Sequence, residues 1–233
     1  MDAENLPEGD EKVRAVRSMF DSIAPRYDLV NRIMTFRMDV RWRKRTVREL
    51  RLGPGSLVAD LACGTGDFCR ELAAQDLKPI GFDISYGMLA AARTSAPLAE
   101  ADILRLPVPD GSLDGITCGF ALRNLVELEG FFVELSRAVR PGGRIALLEV
   151  AEPPNPILRW GHSIYFGKVV PKVGGLLSDA SAYQYLPKSV AYLPEPSVML
   201  DLLAAAGFTQ IKRTLLSTGI SQLITATRSK PGW

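Results

Sequence analysis

From Ser56 to Val150 the chain alternates between short apolar runs and stretches with helical spacing. The runs Ser56–Ala62, Pro79–Ile84, Ala99–Asp102, Leu113–Phe120 and Arg144–Val150 read as strands, with Ala99–Asp102 the weakest. Between them, Asp67–Ala74, Gly87–Arg93 and Glu127–Val139 read as helices, the last stopped by Pro141-Gly142-Gly143. Strands alternating with helices predict βαβ units, hence a mostly parallel sheet with helices on both faces. After residue 195 the rhythm returns. Val198–Ala206 reads as a helix closed by Gly207, and Thr209–Leu216 with Gln222–Arg228 as an antiparallel hairpin that ends the sheet.

Two stretches fall outside this pattern. Residues 12–50 read as helical, broken near Pro25. In the second helix Ile33, Phe36, Val40, Val47 and Leu50 form an apolar stripe, while Arg37, Arg41, Lys44 and Arg48 share another face. Residues 152–195 lack regular alternation and contain six of the chain's 18 aromatic residues. A segment so long without its own rhythm is unusual inside a compact domain, and it reads as an inserted cap. The expected organisation is a leader and basic helical arm (1–51), an α/β core (52–151), the cap (152–195) and a C-terminal helix with hairpin (196–233).

Composition narrows the function classes. The 233 residues are 47% hydrophobic and 23% charged, ordinary for a soluble globular protein, and no apolar run reaches membrane-spanning length. The polar N-terminus does not resemble a signal peptide. The three cysteines Cys63, Cys69 and Cys118 form no C-x-x-C pair and His162 is the only histidine, which argues against a metal site. A cytoplasmic protein with reduced thiols is expected. Net charge is +2, yet residues 12–51 hold 12 basic residues against 4 acidic ones. Such a basic arm suits an anionic membrane surface or a nucleic acid. No motif for a flipped base is present, so nucleic acid is not expected as a partner.

The chemistry concentrates in Val58-Ala59-Asp60-Leu61-Ala62-Cys63-Gly64-Thr65-Gly66-Asp67, an acid-bearing strand that runs through a glycine turn into a helix. Small residues let a ligand lie against the backbone, and the helix start offers free N–H groups. A dinucleotide fingerprint would place a third glycine at Cys69, and Asp67 would repel a pyrophosphate. A cationic ligand fits better, and S-adenosyl-L-methionine carries both a sulfonium and an ammonium group. Asp83 ends the second strand, where it can accept from ribose hydroxyls. Asp102 ends the third, where it can face an adenine amino group.

These residues resemble the class I S-adenosyl-L-methionine-dependent methyltransferases. Within them the chain is similar to the UbiE/MenG/COQ5 family of quinone-biosynthesis C-methyltransferases. The likeness rests on Phe20–Asn31 (FDSIAPRYDLVN), Gly119–Asn124 (GFALRN) and Tyr185–Val190 (YLPKSV). It implies a Rossmann-like core with an antiparallel last strand. The donor would be held by Asp60, Gly64, Thr65, Gly66, Asp83, Ile84, Asp102, Ile103 and Gly119. The resemblance further implies methyl transfer to a ring carbon of a prenylated quinol, most simply demethylmenaquinol. Another phenolic or polyketide acceptor is the alternative. Arg123 would stabilise the phenolate, Asn124 would orient the hydroxyl, and Tyr27 would contact donor or ring. The competing use of Arg123 is a salt bridge to Glu127, four residues on. A peripheral position on the inner membrane face and a homodimer complete the expectations.

Overall fold

The computed structural model describes residues 9–177 and 189–230 of the chain. Seven strands form one sheet: β1 Leu57–Leu61, β2 Lys78–Asp83, β3 Leu98–Glu100, β4 Leu113–Gly119, β5 Val139–Val150, β6 Phe208–Leu216 and β7 Ser221–Arg228. Their order is β3-β2-β1-β4-β5-β7-β6. The first five are parallel, while β7 runs antiparallel to both β5 and β6. The class I methyltransferase fold expected from sequence is the one observed.

Nine α-helices lie among the described residues: α1 Gly9–Ile23, α2 Tyr27–Met34, α3 Met38–Leu50, α4 Asp67–Ala73, α5 Tyr86–Ala90, α6 Leu128–Ala138, α7 Pro156–Ile164, α8 Val170–Leu177 and α9 Pro196–Ala205. A turn of π-helix, Tyr165–Val169, joins α7 to α8. Strand alternation sends neighbouring side chains to opposite sheet faces. Ala59, Leu61, Ile145, Leu147 and Ile224 therefore meet α6 and α9 through Phe131, Phe132, Leu135, Met199 and Leu203. Val58, Ala146, Leu148 and Leu223 meet α3 and α4 through Trp42, Val47, Leu50, Phe68 and Leu72. A third apolar cluster joins the N-terminal helices to the 152–195 region, with Ile23, Val30 and Met34 against Val170.

Three sequence expectations need correction. The helix read through residues 26–50 is two helices, because Phe36 and Arg37 adopt left-handed φ of 50° and 60°. The Thr35 hydroxyl sits at this break, 2.8 Å from the Asn31 carbonyl oxygen and 2.7 Å from Asp39 Oδ1. The turn also removes Ile33 and Phe36 from the expected apolar stripe, leaving both exposed. Asp102 does not end β3 but lies two residues beyond it, where its Oδ1 accepts from the Leu104 N–H at 2.9 Å. Arg37, Arg41, Lys44 and Arg48 are all exposed, but Arg37 lies in the left-handed turn before α3 and not on that helix.

Candidate functional site

Two cavities open at the carboxyl ends of the parallel strands, where ligands of open α/β sheets bind. The first, about 150 Å³, is bounded by the β1–α4 turn and the ends of β2 and β4, and by the α1 side chains Val13, Val16 and Phe20. The second, about 440 Å³, lies under α2, α7 and the π-turn. Tyr27, Arg43 and Phe120 line both, so these three side chains form the shared wall.

Of the nine residues expected around the donor, Gly64, Thr65, Asp83, Ile84, Asp102, Ile103 and Gly119 line the first cavity. Asp83 closes β2 and is buried. Its Oδ2 accepts from the Gly64 N–H at 2.7 Å and its Oδ1 from the Ser85 N–H at 2.8 Å. Burial pushes its pKa up, against the pull of those N–H bonds. Gly119 is held to glycine by close approach, since a Cβ there would lie 2.5 Å from Phe68 Cε2.

Asp60 and Gly66 are not among the lining residues. Asp60 sits below the turn, almost wholly buried, accepting from Thr117 Oγ1 at 2.9 Å and facing Cys69 Sγ at 3.7 Å. Desolvation raises its pKa to about 7. Gly66 supplies the left-handed φ of 80° that starts α4. Both shape the turn from behind. Asp67 does not present the free negative charge expected of it. That carboxylate is ion-paired to Arg32, Arg43 and Arg70, so its charge is compensated.

The expected catalytic residues divide between the cavities. Asn124 lines the first, Arg123 the second and Tyr27 both. The Tyr27 environment raises its hydroxyl pKa through burial, while Arg43 and Arg123 pull the other way. Arg123 is clamped. Its Nη1 donates to Glu149 Oε1 at 2.5 Å and to the Phe120 carbonyl at 2.7 Å, and its Nε to Ser189 Oγ at 3.1 Å. Glu149 is fully buried and also accepts from the Arg123 and Val150 N–H groups. The ion pair is therefore with Glu149 and not with Glu127. His162 lines the second cavity, its ring stacked on Phe166 with centroids 5.2 Å apart, and burial lowers its pKa.

Sequence reasoning missed several residues that build this site. Asp21 on α1 accepts from Ser85 Oγ at 2.6 Å and from the Gly87 N–H at 2.9 Å, fastening α1 across the end of β2. Asp28 on α2 accepts from Thr65 Oγ1 at 2.5 Å, fastening α2 to the glycine turn. Arg43 is paired with Asp39 at 2.5 Å and lies over the Phe68 and Phe120 rings at 5.9 and 5.8 Å. For Glu149 a signal was available: it is the lone acid of β5, directly after the apolar run Ile145–Leu148. The stretch Tyr185–Val190 lies outside the described residues except for Ser189 and Val190. Of the cap aromatics, Tyr165 and Phe166 line the second cavity. Trp160 is exposed, and Tyr192 instead lies under the Lys12 ammonium, 3.5 Å from its ring centre.

The sheet order, the antiparallel β7 and the glycine turn bonded to Asp83 at the end of β2 define a Rossmann-like methyltransferase architecture. Solved structures share it: a SAM-dependent methyltransferase of Thermotoga maritima superposes with a TM-score of 0.64 at 18% identity, covering 91% of this chain and 99% of that one. A Haemonchus contortus phosphoethanolamine N-methyltransferase 2, solved with S-adenosyl-L-methionine, gives 0.56 at 14% identity over 77% of this chain and 50% of that one. The chain belongs to the ubiE/COQ5 methyltransferase family, whose profile matches residues 8–228. It is 38% identical to a ubiquinone/menaquinone biosynthesis C-methyltransferase UbiE of Syntrophotalea carbinolica, over 93% of this chain and 95% of that protein. It is 40% identical to a demethylmenaquinone methyltransferase of Thermus thermophilus, over 88% and 97% respectively.

Proposed function

We propose that this protein transfers a methyl group from S-adenosyl-L-methionine to a ring carbon of a prenylated quinol, with demethylmenaquinol the first candidate. The single observation that carries the reading is the pair of cavities meeting at Tyr27, Arg43 and Phe120. One is walled by Asp83 at the end of β2 and Asp102 in the loop after β3, and the other is wide and largely apolar. Curated relatives named for quinone methylation support the acceptor class.

The first cavity fits the donor chemically. Asp83 and Asp102 present carboxylates to a ligand with two ribose hydroxyls, an adenine amino group and net positive charge. Backbone lies open at Gly64, where even a Cβ would come within 3.1 Å of Met88 Cε. When bound, the donor supplies an electrophilic methyl on a positively charged sulfur.

The protein's part is alignment and charge placement. Val13, Val16 and Phe20 close the first cavity from above and exclude water. Tyr27 stands with Arg43 where the cavities join, so its side chain borders both partners. Arg123 serves as a fixed cation at the second cavity, since a guanidinium cannot act as a base near neutral pH. Glu149 offsets part of its charge and sets its direction. Asn124 faces the donor side and orients the acceptor's hydroxyl from there. Exchange of a lipid-tailed acceptor with an anionic membrane surface belongs to the same reading.

The test is mass spectrometry of purified protein incubated with S-adenosyl-L-methionine and chemically reduced demethylmenaquinone. A singly methylated quinone is expected. Absence of product in a sample shown to bind the donor would overturn the acceptor assignment and favour another phenolic compound.

A further inference from the structure

Helix α7 contains no buried residue among those described, although its sequence is amphipathic. Ile157, Trp160 and Ile164 recur at helical spacing along one side, with Ile157 77% and Trp160 69% exposed. On α2 and the turn after it, Leu29, Ile33 and Phe36 make a second exposed row, with Phe36 72% exposed. The rows adjoin, because the Phe36 ring lies 6.0 Å from that of Tyr165 in the π-turn. Phe36 and Ile157 also line the second cavity, so the apolar surface reaches into it. Soluble monomers rarely expose so many large apolar side chains together without a partner.

The charges around this surface are mostly of one sign, the exposed Glu152 near His162 being the exception. Residues 156–177 contain Arg159, Lys168 and Lys172 and no acid. Residues 29–45 contain six basic residues and a single acid, Asp39, which is buried and paired with Arg43. Arg37, Arg41, Lys168 and Lys172 are exposed. Apolar side chains ringed by cations match the two layers of an anionic bilayer surface: acyl chains at the headgroup boundary and negative charge above them.

We infer that the face formed by α2, the Phe36–Arg37 turn and α7 docks on the surface of an anionic lipid bilayer, with the mouth of the second cavity against the lipid. A lipid-tailed acceptor would then pass from the leaflet to the cavity without crossing water. The inference rests on the acceptor class proposed above. No helix among the described residues is long and apolar enough to cross a membrane, so the contact is peripheral.

Co-sedimentation of the full chain with vesicles tests this. At low salt the protein is expected to pellet with equimolar phosphatidylcholine and phosphatidylglycerol and to stay in solution with phosphatidylcholine alone. In a Trp233→Phe background, Trp160 emission should shift to the blue on binding, because Trp42 is already buried. The double variant Leu29→Glu/Trp160→Glu changes side chains outside both cavities. It should lose at least about tenfold of its vesicle affinity while methylating a water-soluble, tail-less quinol at the unaltered rate. Equal pelleting of wild type and variant, or no pelleting of wild type, would overturn the inference. So would a wild-type dimer in sedimentation velocity that the double variant abolishes, since the face would then be an interface between copies. Failure of the functional proposal reads differently: vesicles bound, but no quinol methylated.

Discussion

Replacing Glu149 with glutamine tests the most deeply buried charged side chain among the described residues. Its carboxylate has no solvent exposure and holds Arg123 through a 2.5 Å contact between Nη1 and Oε1. It also accepts from the Val150 N–H at 2.8 Å and the Arg123 N–H at 3.3 Å. An amide of the same shape keeps one acceptor oxygen, so it forfeits the negative charge and at least one of these bonds. Removing one partner from a buried ion pair costs about 3–5 kcal/mol, because the other charge is left without compensation. Urea denaturation followed by circular dichroism should show Glu149→Gln destabilised by that amount, with unchanged dependence on denaturant. In Arg123→Met/Glu149→Gln the stranded cation is gone. The double variant should therefore be more stable than the sum of the single effects by about 2 kcal/mol or more, as expected for groups in one network. Additivity within about 0.5 kcal/mol would refute the reasoning, because the two groups would then not act as a pair.

The remaining expectations concern the cavities. Gly119→Ala forces the Phe68 ring from a position 2.5 Å from the new Cβ and disturbs the wall carrying Arg43; overpacking of about 1–3 kcal/mol should appear largely as weaker S-adenosyl-L-methionine binding by calorimetry, and wild-type affinity would count against it. Tyr27→Phe should lower the methylation rate by about tenfold or more with donor affinity within about twofold, because only the hydroxyl at the junction is removed; an unaltered rate would exclude Tyr27 from the chemistry. Asp60, with its pKa raised from 3.8 to about 7, binds a proton in the folded state that the unfolded state has already lost. Its contribution to stability is therefore complete below about pH 4 and falls as the pH rises to about 7, by as much as about 4 kcal/mol. Asp60→Asn should flatten that part of the stability profile, and parallel profiles for the two proteins would show that the group does not titrate there.

Much of the core was legible because its information is local. Strand runs buried on both faces read as continuous apolar stretches, so β1, β4 and the Arg144–Val150 part of β5 follow from pattern alone, while Val139–Gly143 of β5 was read as the end of a helix and its stop. The glycine turn, Asp83 and Gly119 were equally visible, since each is a backbone demand or an acid at a strand end. The arm was harder. The break at Phe36–Arg37 puts two non-glycine residues into left-handed backbone, which intrinsic propensity opposes and only the packing of α2 and α3 on different partners enforces.

The division of labour between local and long-range information is clearest at the site. By itself the sequence determined the sheet, the glycine turn at its centre and the identity of the residues clustered near the strand ends. Tertiary structure decided which of them face a cavity. Asp60 and Gly66 turned inward behind the turn, while Val13, Val16, Phe20 and Arg43, remote in the chain, became walls. It also decided the partner of Arg123. Glu127 is close along the chain, but Glu149 is brought to it from the neighbouring strand, 26 residues away. A buried charge is stabilised by what lies a few ångströms away in space, and that distance is set by the folding of the whole chain.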